Sequence, residues 1–172
     1  IYTLSLHDAL PIYYRAIAVP RPVTVFGVGA SGLVAADLTQ KLQRIGQPCQ
    51  FHADTHVQLV HAALLDADDV AVGFSFSGRT RDVGDCLRLA REGGALTVAV
   101  TGDPRSPAAR GAARVLLTAA REDELRAAAL ASRMAQLAVV DILFARVAQL
   151  RFDDLDAVDN RSEERRVGKE CR

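Results

Sequence analysis

VTVFGVGASGLVAADLTQKLQRIG, residues 23–46, changes its periodicity halfway along. Val23–Val28 is a short β-branched run closed by Gly29, the pattern of a buried strand. From Ser31 to Ile45 the apolar residues Leu33, Val34, Leu38, Leu42 and Ile45 recur at helical spacing. Gly46 stands just past the end of that stripe, where a left-handed cap residue is favoured. Strand, glycine turn and helix together are the first half of a βαβ unit. The rest of the chain repeats the pattern.

A weaker strand is expected at Cys49–Phe51, and a helix at Val57–Leu65 with Val57, Val60, Leu64 and Leu65 on one side. Asp69–Phe74 is a second clear strand. Asp82–Gly93 is helical, with Val83, Leu87, Leu89 and Ala90, and is stopped by Gly93-Gly94. Leu96–Val100 is a third clear strand, Val115–Leu117 a short further one, and Glu122–Leu150 a long Ala-rich helix. Strands alternating with long helices imply a parallel sheet covered on both faces. Right-handed crossovers then predict an α/β fold: a three-layer αβα sandwich with a five-stranded parallel sheet, flavodoxin-like or Rossmann-like in class. Ligands in such sheets bind beyond the carboxyl ends of the strands. The loops GVGASG, SFSGRT and TGDPRSP stand there.

The two ends read differently from the middle. Thr3–Ile12 and Arg161–Cys171 can be encoded by DNA strands that are reverse complements of each other, one base out of frame, as adapter DNA at both ends of a fragment would be. Residues 1–12 and 161–172 are therefore read as non-native, leaving 13–160 as one domain of ordinary length. That segment carries 16 of the 21 Lys and Arg and 17 of the 21 Asp and Glu, a net charge of −1. A near-neutral segment is poorly suited to gripping a nucleic-acid backbone by itself. Cys49 and Cys86 are its only cysteines, too few for a disulfide framework, so a reducing, cytoplasmic location is expected. No apolar run approaches the roughly 18 residues a membrane span requires. Neither a metal site nor a resident cofactor is expected.

Gly27–Gly32 fits G-x-G-x-x-G between a strand and a helix, and Asp54 follows about twenty residues later, which meets the sequence pattern of a dinucleotide site. Its glycines and helix start would suit any phosphate equally well. Ser75, Ser77 and Thr80 in the second loop break the tie. Hydroxyls donate to phosphate oxygens without adding charge, and Ser31 in the first loop can join them from the adjacent strand. Gly29 and Gly78 would let the backbone approach and turn tightly. Helix capping could occupy Ser77 or Thr80, but not the whole set. A nicotinamide dinucleotide is disfavoured on this ground.

The strings GVGASGLVAADLTQKLQRIG, HADTHVQL, DVAVGFSFSGRTRDV, LTVAVTGDPRSPAA and SRMAQLAVVDILF resemble the sugar isomerase (SIS) domain over residues 23–150. They look most like the effector-sensing domain of RpiR-type transcriptional regulators. The resemblance implies a phosphosugar ligand, with Ser31, Ser75, Ser77 and Thr80 matching the family's phosphate-contacting hydroxyls and Gly29 and Gly78 shaping the loops. It also implies a helix-turn-helix domain upstream of Tyr13, through which alone DNA would be bound. The alternative is an aldose–ketose isomerase, which needs a base. The isomerases of this superfamily often carry a Glu and a His before the third strand, whereas this chain has no Glu from Ala53 to Val70. His52, His56 and His61 are the candidates there by type, and His56 is expected to contact the sugar rather than to catalyse. Glu122 and Glu124 could reach a neighbouring subunit's pocket, although acids also suit a first helical turn. Leu137, Val140, Ile142, Leu143 and Val147 give the last helix more apolar surface than one sheet face needs, which points to a homodimer or tetramer. Arg126, Arg133 and Arg146 read as solvated or interface charges.

Overall fold

The computed structural model describes residues 21–120 and 130–170, with side chains in the second stretch described as far as Phe152. The chain runs β1 (Val23–Gly27), α1 (Ala30–Arg44), β2 (Cys49–Phe51), α2 (Thr55–Leu64), β3 (Val70–Phe74), α3 (Arg81–Glu92), β4 (Leu96–Thr101), α4 (Pro107–Gly111), β5 (Arg114–Leu117) and α5 (Leu130–Glu170). The strands form one sheet in the order β2-β1-β3-β4-β5, and every pairing is parallel. After β2 the chain crosses back past β1 to lay down β3, so the switch point lies between β1 and β3. Their last residues, Gly27 and Phe74, are in register, which brings the loops that follow to the same edge.

The two sheet faces are filled differently. Val23, Val25, Val70, Val72, Phe74, Val98, Val100 and Leu116 meet α1 and α5, through Val34, Leu38 and Leu42 on one helix and Val140, Leu143 and Val147 on the other. The opposite face carries Phe26, Ala71 and Ala99, and meets α2, α3 and α4. Small residues there let α3 approach closely. A Cβ on Gly73 would lie 2.7 Å from Leu87 Cδ1 and 3.0 Å from Val83 Cγ1. Runs that read as uniformly apolar in sequence are thus split by period two into a bulky face and a close-approach face.

α1 and α3 end where glycines were expected to end them. Gly46 N–H donates to Gln43 O at 3.0 Å and Gln47 N–H to Leu42 O at 3.1 Å; Gly94 and Ala95 make the equivalent pair after α3. Lys41, on α1, bonds Asp37 of its own helix at 2.7 Å and also Asp141 of α5, tying the two helices of the bulky face together.

Three expectations need correction. Most of the apolar stripe of α2 does not face the sheet: Val57, Val60 and Leu64 are exposed, while Leu65 at its end, Gln58 and Ala62 are buried. A small Ala fits the close-approach face, and Gln58 has a polar task described below. Second, α4 falls where only a loop was expected. Ser106 and Pro107 are its start signal, a hydroxyl cap followed by proline in the first turn. Third, α5 runs on to Glu170 rather than stopping at Leu150; the expected start at Glu122 lies outside the described residues, as do Glu124 and Arg126. Among the described residues, no helix is long and apolar enough to cross a membrane.

Candidate functional site

At the end of β1, both backbone groups of Gly27 are clamped by one side chain. Gln58 Oε1 accepts from Gly27 N–H at 3.2 Å, and its Nε2 donates to Gly27 O at 3.0 Å and to His52 O at 2.7 Å. Gln58 is 1 % exposed, so this clamp is shielded from water. Gly29 follows with φ +60° and occupies the cap position of α1. A Cβ there would meet nothing within 4 Å, so glycine is required by the sign of φ and not by space. No side chain caps this helix start. The first amides of α1 therefore keep their N–H groups available beyond the sheet edge. Ser31, half-buried, donates through Oγ to Gln136 Oε1 of α5 at 3.2 Å.

The loop after β3 is braced from beneath by β4. Ser75 is 2 % exposed; its N–H donates to Val100 O at 3.1 Å and its Oγ to Thr80 Oγ1 at 3.2 Å. Thr101 Oγ1 donates to Phe76 O at 3.1 Å, and Gly102 N–H donates to the same oxygen at 2.8 Å. Gly78 turns the chain with φ +64°, and a Cβ on it would fall 2.0 Å from Ser106 Oγ. Its carbonyl accepts from Ala108 N–H at 3.0 Å, locking the loop to α4. Thr80 stands at the cap position of α3, yet its hydroxyl makes no capping bond; it faces Ser75 instead. Ser77 is exposed and accepts from Arg79 N–H at 3.3 Å, a local turn bond.

Two uncapped helix starts, of α1 and α3, therefore flank the switch point, with Ser31, Ser75, Ser77 and Thr80 on their approaches. Each contributes roughly half a positive charge and orphan N–H donors. This arrangement can receive a small anion with neutral donors and no buried counter-charge.

The other expected residues are engaged elsewhere. Asp54 caps α2, accepting from His56 N–H at 2.8 Å and Val57 N–H at 3.2 Å, so the acid of the dinucleotide pattern is already used. His56 is exposed on the first turn of α2. His52 and His61 stack on each other, centroids 4.3 Å apart at 16°, and Gln50 Nε2 lies 3.4 Å from His61 Nδ1. Ser106 of the TGDPRSP loop caps α4 through Ala109 N–H at 3.3 Å. Sequence reasoning passed over Gln58 and Gln136. A polar residue sharing a buried face with small ones was the signal for Gln58, and Gln136 sits four residues before Val140 on the inner stripe of α5.

A doubly wound parallel domain with an anion-ready loop pair at its switch point is the class these features define. The sequence profile of the SIS domain matches residues 16–146, and the chain belongs to the SIS domain family. It is 43 % identical over 141 residues to an HTH-type transcriptional regulator of Caldanaerobacter subterraneus, covering 82 % of this chain and 50 % of that protein. To the HTH-type transcriptional regulator RpiR of Escherichia coli it is 34 % identical over 149 residues, 87 % of this chain and 49 % of that one. The chain thus spans about half the length of these regulators. Among solved structures, the NanR protein of Vibrio vulnificus complexed with ManNAc-6P superposes with a TM-score of 0.80 at 27 % identity, covering 91 % of this chain and 60 % of that one. The sugar isomerase domain of the RpiR transcription factor from Sphaerobacter thermophilus gives 0.75 at 27 % identity, over 91 % and 86 % of the two chains.

Proposed function

We propose that this chain is the phosphosugar-sensing domain of an RpiR-type transcriptional regulator of carbohydrate metabolism. The observation that carries the proposal is the pair of uncapped helix starts on either side of the switch point, lined by hydroxyls and built on the SIS frame. Ser31, Ser75, Ser77 and Thr80 hold the phosphoryl group, Gly29 and Gly78 shape the loops around it, and the sugar extends toward the rim, with His56 as its outer contact. The likeness to NanR, which is complexed with ManNAc-6P, supports the choice of a sugar phosphate. The DNA-binding part belongs to the portion of such regulators that this chain does not span, and operation is cytoplasmic.

The regulator works as a homodimer or tetramer. Leu33, Leu130, Met134 and Ile142 are exposed apolar residues on α1 and α5, the two helices that pack together on the bulky face, and an obligate subunit interface is apolar in this way. Effector binding then shifts the balance between subunit arrangements by binding one of them better than the other.

Sensing is favoured over isomerisation because the described histidines are stacked or exposed and none meets the hydroxyl loops. The test is paired. The 172-residue chain is titrated calorimetrically with a panel of sugar phosphates, ManNAc-6P among them, and each sugar that binds is incubated and assayed for aldose–ketose conversion. Binding without conversion is expected. Turnover would make the protein an isomerase, and no binding across the panel would overturn the phosphosugar assignment.

A further inference from the structure

Gln136 is 1 % exposed and comes from α5, an element the hydroxyl loops do not include. Its Oε1 accepts the proton of Ser31 Oγ at 3.2 Å. Its Nε2, fully shielded from solvent, has no hydrogen-bond partner among the described residues. A buried donor left unpaired is costly and rare in folded proteins, so an amide kept in this condition points to a second arrangement in which the donor is used.

The chemistry of the Ser31 hydroxyl specifies that arrangement. A hydroxyl has one proton and two acceptor positions. In the structure that proton is committed to Gln136, while a phosphoryl oxygen can only accept. Ser31 must withdraw its proton from Gln136 to serve an anion, which would leave both ends of the buried amide unpaired. A half-turn of the amide about its last side-chain bond, a broad and roughly two-fold torsion, removes the conflict. Nε2 then donates to Ser31 Oγ, and Ser31 donates onward to the anion. The atom left over is a carbonyl oxygen, which tolerates being unpaired better than an N–H does.

We infer that Gln136 is a positioning residue of the ligand site, a two-position amide that orients the Ser31 hydroxyl and registers anion occupancy on α5. This inference rests on the phosphosugar reading and deepens it. The amide is held on the inner stripe of α5 beside Val139, Val140 and Leu143, so its reorientation is felt by the helix that also carries the exposed Met134 and Ile142.

The test combines calorimetry with ManNAc-6P and inorganic phosphate, thermal melting, and NMR of the Gln136 side-chain amide. Gln136→Met removes both amide functions at similar volume. It should weaken binding about tenfold, the effect of one hydrogen bond in a chain ending on a charged group, while leaving the melting temperature unchanged or higher. Gln136→Glu offers only acceptors, keeps the Ser31 proton turned toward α5 and adds negative charge; it should weaken binding about a hundredfold. In the wild type the Gln136 side-chain amide signals should shift on adding phosphate, and in Ser31→Ala they should not. Wild-type affinity in both Gln136 variants, a melting temperature several degrees lower in Gln136→Met, or amide signals unmoved by phosphate would each overturn the inference. No binding by the wild type would instead overturn the phosphosugar reading itself.

Discussion

Among the described residues, the four helices that follow β1 to β4 begin at the carboxyl edge of this sheet or in the loops beside it, and they fall into two pairs. α2 and α4 are closed by side chains, Asp54 on one and Ser106 on the other. α1 and α3 are not: the cap position of α1 is Gly29, which has no side chain, and Thr80 stands at the cap position of α3 without a capping bond. The closed pair follows β2 and β4, while the open pair follows β1 and β3, the strands on either side of the switch point. A capping bond is worth about 1 kcal/mol, so two helix starts without one mark where the chain forgoes that stability and leaves N–H donors free. The lesson is that a candidate cap which does not cap is informative: Thr80 meets Ser75 instead.

The strongest way to break this contrast is to remove hydroxyls from the open side. Ser75→Ala with Ser77→Ala should lower affinity for ManNAc-6P by about two to four orders of magnitude, from two bonds to a charged group at about 1.5–3 kcal/mol each, as read by calorimetry. Next comes the loop that holds the open start of α3 in shape. Gly78→Ala would place a methyl group 2.0 Å from Ser106 Oγ at a positive φ, and should destabilise the fold by about 3 kcal/mol in urea unfolding.

The closed side should respond in the opposite sense. Asp54→Ala removes the α2 cap and should cost about 1 kcal/mol of stability with affinity for inorganic phosphate unchanged; a loss of that affinity would mean that α2 helps hold the phosphoryl group. Last is a pH effect from two thiols, Cys86 and Cys49. Burial pushes the Cys86 thiol up to about 12, with Asp82 and Asp85 adding to the shift. It also raises Cys49 to about 11. Both thiols stay protonated in the native state where the unfolded chain loses its protons. Their contribution to stability is complete below the unfolded thiol range near pH 9 and is lost as pH climbs from there toward 11 and 12. Urea unfolding from pH 8 to 11 should show that alkaline decline, and Cys86→Ala should lessen it.

The sheet was legible in the sequence because its strands are β-branched runs bounded by glycine, and α1 and α3 because a periodic stripe ended at Gly46 and Gly93-Gly94. Less was legible where a residue's task depends on a distant partner. Val57, Val60 and Leu64 looked like a core stripe, but α2 turns Gln58 and Ala62 inward instead, and Gln58 is buried because Gly27, 31 residues earlier, needs its amide. Gln136 likewise meets Ser31 across 105 residues of chain, a contact that local spacing does not encode. The hydroxyls of SFSGRT could be recognised as a set because they are adjacent in sequence. That Thr80 leaves its cap position unused could be learned only from geometry.

The central claim is that the anion sits between the open starts of α1 and α3. Backbone amide NMR of the wild-type chain titrated with ManNAc-6P, and separately with inorganic phosphate, tests it most directly. The amides of Ala30, Ser31, Thr80 and Arg81 should shift strongly with both, while with inorganic phosphate, which has no sugar to reach His56, those of Thr55, His56 and Ala109 stay in place. Shifts concentrated at the capped starts of α2 and α4, with Ala30 and Thr80 unmoved, would contradict the account.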